Sequence, residues 1–257
     1  MKIVPLSRQS VSTIHLAVET VFNRIKSRVL GPDYLSSREA KTIGFGHREY
    51  FSLPGLYQRA AAEEGTTAND TALDGFARIT EAYLDAERER AKARVTGAVD
   101  SWLRNTYSKK IKTNLETVLE GELARVWGQV TSEVNKIVDS QATTASNLGT
   151  LEGIVKVNAA SGISDPTMFF IIVRDGHVCE ECTRIHLLPN KVTPRAWKLS
   201  EISAGFHKRG EESPSMCGLH PSCRCRPATL LPGYGFNGAG KITYVNPGWD
   251  EYKAQRG

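Results

Sequence analysis

The sequence predicts a mainly α protein: long amphipathic helices followed by a small, loop-rich C-terminal α+β domain stapled by cysteine and histidine. Three observations predict it. Proline, which removes a backbone donor and breaks helices, is absent from 55 to 165, and eight of the eleven prolines lie from Pro166 onward. Within the Pro-free stretch, apolar residues recur at helical spacing. All five cysteines fall between Cys179 and Cys225, with none before. A chain of 257 residues can form one large domain or two modest ones, and this change of composition favours the second. The sequence divides into an N-terminal irregular or helical segment over 1–60, a long-helix arm over 61–147, and the α+β domain over 148–257.

Taken in order, the first sixty residues predict one helix at about 7–29 and a turn at Gly31-Pro32. They carry no functional motif. Thr71 to Arg94 places Leu73, Phe76, Ile79, Tyr83 and Leu84 on one stripe, then becomes charged at Glu87-Arg88-Glu89-Arg90, a run expected to face solvent or a partner. Val99, Leu103, Tyr107, Ile111, Leu115, Leu119 and Leu123 recur every four residues, and Val126, Val130, Val134, Ile137 and Val138 follow. This predicts one helix over 97–140, or two with a break near Gly121. The spacing of four drifts across a helix face, so a sustained heptad coiled coil is not expected. A further helix over 143–160 stops at Ala160-Ser161-Gly162, and Thr167 to Arg174, rich in β-branched and aromatic residues, reads as a buried strand.

Composition excludes several classes. No apolar run approaches the roughly 18 residues that cross a bilayer, so no membrane is expected among the partners. The first twenty residues lack an apolar core and cleavage site, which predicts a cytoplasmic origin. The net charge of +5 is the sum of +5, −3 and +3 over 1–60, 61–160 and 161–257, without the dense basic block of a dedicated nucleic-acid binder. Lys191, Arg195, Lys198, His207, Lys208 and Arg209 form a basic loop, with Arg224 and Arg226 beyond it. Such a surface is either simply solvated or touches a phosphate backbone. The stretch Gly235 to Lys241 matches G-x4-G-K, but Ile242 stands where Ser or Thr should hold Mg2+ and a strand pattern follows, so a glycine-rich surface loop is expected.

Chemistry concentrates in the cysteines. Cys179-Glu180-Glu181-Cys182 lets two thiolates of one tight turn face a single ion, and Cys217-Gly218-Leu219-His220-Pro221-Ser222-Cys223-Arg224-Cys225 supplies four further donors within nine residues. Zn2+ accepts thiolate and imidazole together in a tetrahedron, so a structural zinc site is the expected cofactor. Spacing alone leaves open which four of the six donors ligate, and whether the cysteines instead stay free or form disulfides. No βαβ pattern surrounds the C-x2-C pair, which argues against a thioredoxin-like dithiol. His177, His186 and His207 read as surface or hydrogen-bonded residues. Glu180, Glu181 or His177 beside a metal would suit a metal-dependent nuclease, yet thiolate-rich sites are usually closed.

The segment 139–227 resembles the C-terminal region of the Mu F-like phage head-morphogenesis family of minor head proteins. The resemblance is carried by Ala142-Thr143-Thr144-Ala145-Ser146-Asn147-Leu148-Gly149, by a strand followed by Arg174-Asp175-Gly176-His177-Val178-Cys179-Glu180-Glu181-Cys182, and most sharply by His220-Pro221-Ser222-Cys223-Arg224-Cys225. It implies that Cys179 and Cys182 form the first ligand pair and His220, Cys223 and Cys225 supply the second, with Cys217 demoted. It also implies a non-enzymatic virion component of the phage head or neck, made in the host cytoplasm and present in a few copies near the portal vertex. Its partners would be the portal protein and a major capsid or scaffold protein, with packaged DNA reached through the basic loop. The chain departs from the family after the C-x2-C pair, where Thr183 to Asn190 replaces a Leu-Asp-Gly-like turn and the interval to His220 is long.

Overall fold

The computed structural model describes residues 8–31, 52–109, 115–173, 178–208 and 210–245. Pro32, Arg174 to His177 and Arg209 lie outside the described residues. So does the interval 110–114, which separates two long helices. The helices are α1 (Arg8–Val29), α2 (Leu53–Glu63), α3 (Asp70–Lys109), α4 (Leu115–Ala160) and the short α5 (Glu180–His186). Strands β1 (Thr167–Ile171), β2 (Trp197–Lys198), β3 (Arg226–Leu230), β4 (Tyr234–Phe236) and β5 (Ile242–Tyr244) are confined to the C-terminal part. The chain is thus mainly helical with a small strand region near its C-terminus. No described helix is long and apolar enough to cross a membrane.

Two expectations about helix ends change. Gly121 lies inside α4, and the helix expected over 143–160 is the second half of that same 46-residue element. One glycine costs a helix about 1 kcal/mol, too little to end an element whose Val126, Val130, Val134 and Val138 are all buried. The expected stop does occur: α4 ends at Ala160, and Gly162 takes the left-handed conformation at φ 76°.

Contacts group the chain into two compact units that are not consecutive segments. The first joins Met1–Ser52 to Ala77–Val138, and the second joins Leu53–Phe76 to Asp139–Gly257. In the first unit, Val18, Phe22 and Val29 of α1 are buried, as are Leu84, Ala91, Val95 and Val99 of α3 and the valine stripe of α4. Lys26 pairs with Glu81 and Asp85, and Lys92 with Glu19, fixing α1 along α3. The charged run of α3 does not simply face outward. Glu87 is 1% exposed and bonds Arg94 at 2.6 Å and Arg90 at 3.1 Å, since a buried carboxylate must be paired.

The second unit is built on α4 and a small antiparallel sheet of order β2-β1-β3. β1 is shorter than the strand expected to reach Arg174. Met168 and Phe170 lie, with Trp197, Ile185, Leu219 and Ile154, in the larger core cluster. Phe169 points to the opposite face and meets Leu230 and Phe236 in a smaller cluster. α2 lies against α4 at two glycines. A Cβ at Gly149 would strike the Tyr57 carbonyl and one at Gly153 would strike the Glu64 side chain just past the end of α2, so this close approach requires glycine at both. Glu152 completes the joint, accepting from Tyr57 Oη at 2.7 Å and from the Asn69 amide at 2.9 Å. The G-x4-G-K stretch closes the β4–β5 hairpin. Asn237 Oδ1 accepts from the amides of Ala239 and Lys241, the donors a phosphate would need.

Candidate metal centre

The C-x2-C pair is presented by the start of α5. Cys179 is its N-cap residue, in extended conformation, and its Sγ accepts the Cys182 N–H at 3.2 Å. This takes up one donor left open by the first helical turn and sets both sulfurs on one side of the turn. The second group arrives on the knuckle before β3. Gly218 at φ 79° and Ser222 at φ 61° turn the chain, and the Cys223 amide closes onto the His220 carbonyl at 3.1 Å.

The five residues expected as ligands come together as two overlapping triads, Cys179–Cys182–His220 and Cys182–Cys223–Cys225. Within each triad the donor atoms lie within 4.8 Å of one another. Cys182 belongs to both. Its Sγ is 3.3 Å from His220 Nε2 and 3.9 Å from Cys223 Sγ. A tetrahedral ion with Zn–S near 2.3 Å and Zn–N near 2.0 Å has S–N and S–S edges of about 3.5 and 3.8 Å, so these two separations from Cys182 match the edges of such a site. The imidazole is oriented for it as well. His220 Nδ1 lies 2.7 Å from the Pro221 carbonyl, which can only accept; Nδ1 therefore carries the proton, and the Nε2 lone pair faces Cys182.

Electrostatics without an ion show how closely the sulfurs interact. Hydrogen bonds from Cys182 and Cys225, followed by the backbone amides of Cys225 and Leu219, hold the Cys223 thiol far below its ordinary range. Cys182 is pushed up, chiefly by its bond to Cys223. The opposite directions at Cys182 and Cys223 come from the bond the two sulfurs share, and a bound cation would favour both as thiolates.

Cys217 is not part of the cluster. Its thiol donates to the Ala204 carbonyl at 3.3 Å, and burial pushes its pKa up. His186 is neither a surface residue nor bonded at Nδ1. It is 1% exposed, stacks on Phe170 with ring centroids 4.4 Å apart, and has its pKa lowered to about 4 by burial. Glu181 accepts two bonds from Arg184 and lies 3.2 Å from His207 Nε2; the bonds from Arg184 lead in drawing its carboxyl down to about 2. In the basic loop, Lys198 donates to Thr167 and Arg195 lies over the Trp197 ring. His177 and Arg209 lie outside the described residues.

Sequence spacing did not reveal how α4 holds the knuckle. Thr143 Oγ1 donates to the Cys223 carbonyl at 2.6 Å, Asn147 Nδ2 donates to the Met216 carbonyl at 3.0 Å, and Ser222 Oγ donates to Asp139 Oδ2 at 3.0 Å. The available signal was polar residues at positions 139, 143 and 147, four apart on a helix whose neighbouring stripe is apolar.

Fold and site together define a mainly helical protein whose C-terminal α+β part carries a cysteine–histidine cluster able to hold a metal ion. No protein-family model, curated protein or solved structure matches the chain.

Proposed function

We propose that this chain is a phage virion structural protein, a minor head or head-morphogenesis component that associates with the portal and with a major capsid or scaffold protein near the portal vertex. In this reading the cluster holds one structural Zn2+. The observation that carries it is the convergence of Cys179, Cys182, His220, Cys223 and Cys225, the residues of the two motifs that resemble the head-morphogenesis family. The soft, thiolate-rich donor set favours zinc over magnesium or calcium, which take oxygen ligands. Zinc would supply folding energy to a domain whose core is small. Cys182 serves as the common ligand, with the remaining seats filled from Cys179, His220, Cys223 and Cys225.

The same surroundings speak against a metal-dependent nuclease. Glu181, bound by Arg184 and His207, is a poor base at neutral pH. Contact with packaged DNA through the basic loop would rest on Lys191 and Lys208, both exposed.

The deciding experiment is electron microscopy of particles labelled on this chain, combined with metal analysis and free-thiol counting. Density at the portal vertex and one zinc per chain are expected. Particles without the chain overturn the virion reading; a metal-free chain with two disulfides overturns the zinc reading.

A further inference from the structure

The metal reading leaves open how the knuckle is held in place, because its ligands come from a loop that, among the described residues, has no helix or named strand between Glu201 and Arg226. α4 supplies the missing support. Residues 139, 143 and 147 follow one another at one turn each and so share a face, and each is hydrogen-bonded to the knuckle or to the residue that leads into it. Asn147 is 2% exposed, and its side-chain amide meets the carbonyl of Met216, just before the knuckle. Thr143 meets the carbonyl of Cys223, one of the candidate ligands itself. A Cβ at Gly218 would come within 3.0 Å of the Cys223 Cβ and 3.3 Å of the Thr143 methyl, so the same threonine side chain packs against the turn and bonds its far end.

We infer that Thr143 and Asn147 are positioning residues for the metal centre, a polar ladder on α4 that fixes the knuckle backbone so that His220 and Cys223 stand ready for the ion. This inference rests on the reading of the cluster as a metal site. Its physical basis is preorganisation. Groups that orient metal ligands without touching the metal contribute about 10- to 100-fold to affinity, and a carbonyl left unbonded beside the site frees the loop to rotate its ligands away. The coupling is reciprocal: an occupied site holds the Cys223 carbonyl in place for Thr143, so metal should also tighten this part of α4.

The test is a zinc competition titration against a chromogenic chelator, run on full-length wild type, Thr143→Val, Thr143→Ser and Asn147→Leu. Tyr57→Phe serves as a stability control, because it removes a hydrogen bond in the same unit that does not reach the knuckle. Zinc affinity is expected to fall about 10-fold or more in Thr143→Val and Asn147→Leu, to return in Thr143→Ser, and to stay at the wild-type value in Tyr57→Phe. Hydrogen exchange of residues 139–150 should slow on adding zinc to wild type, and less so in Thr143→Val. Unchanged affinity in both ladder variants of a zinc-binding wild type overturns the inference and leaves the metal site standing. Equal losses in Tyr57→Phe also overturn it, by making the effect one of general stability. A wild type that takes up no zinc removes the metal reading itself, and the inference with it.

Discussion

Cys182 is the one donor shared by both triads, whereas Cys217, 35 residues further along the chain and equally a cysteine, is bonded elsewhere. Their substitutions should therefore separate. Cys182→Ser is expected to reduce bound metal from one ion to below about a tenth per chain and to make thermal stability insensitive to chelator, while Cys217→Ser keeps the ion; elemental analysis and melting curves with and without chelator read both. His186 makes a different prediction. Burial lowers its pKa from 6.5 to about 4, so the fold holds it neutral. Above pH 6.5 neither folded nor unfolded chain protonates it, and its contribution is complete. As pH falls from 6.5 toward 4 the unfolded chain takes up a proton that the fold refuses, and stability is lost. At pH 5 this amounts to about 2 kcal/mol, at 1.36 kcal/mol per unit. His186→Leu should lose about 2 kcal/mol less than wild type between pH 7 and pH 5 in urea titrations; parallel losses would mean that His186 titrates normally in the fold.

At the scale of elements, the helical glycines divide by what surrounds them. Gly128 lies exposed in α4 with nothing near its missing Cβ, whereas Gly149 is packed against α2. Gly128→Ala should stabilise by up to about 1 kcal/mol through helix propensity alone. Gly149→Ala carries the same propensity gain yet should destabilise by about 1–3 kcal/mol, because the added methyl must separate two helices. Chemical denaturation of the pair measures the contrast, and a stabilised Gly149→Ala would show that the helices part freely. The same residues explain what could be read in advance. The spacings C-x2-C and H-P-x-C-x-C are local, so the chemistry of Cys179, Cys182, His220, Cys223 and Cys225 was legible from short motifs. Whether a glycine breaks a helix or admits a neighbour depends on residues tens of positions away. The break near Gly121, one of the two alternatives the spacing allowed, is therefore absent from α4, and the contact of Gly149 with Tyr57 and Ala60 was invisible. The burial of Glu87 was hidden likewise, because its charged neighbours gave no sign that Arg90 and Arg94 fold back onto it.

At the scale of the whole molecule, the two units differ in what stabilises them. The first has an apolar core of α1, α3 and α4 side chains joined by ion pairs, while the second combines its helix and sheet core with a cluster of thiols and imidazole. Removing metal should therefore act unevenly. With chelator present, amide exchange is expected to accelerate by about tenfold or more in residues 167–230 while residues 84–99 and 126–138 change little; equal acceleration in both would show a single cooperative structure. Leu53–Phe76 groups by contacts with the C-terminal unit, across the consecutive segments drawn from the sequence. Composition marks where proline and cysteine begin, but it cannot mark which earlier helix a later one will pack against.

The bond between Tyr57 and Glu152 joins residues 95 positions apart, and that separation bears on how the protein is made. During synthesis α2 leaves the ribosome well before α4 is complete, and the cysteines that would fasten the same unit follow later still. At about 5–20 residues per second, the apolar side of α2 waits for several seconds without its native neighbour. Leu53, Leu56 and Tyr57, all buried in the finished structure, are then the surface on which a chaperone or a premature self-association would act.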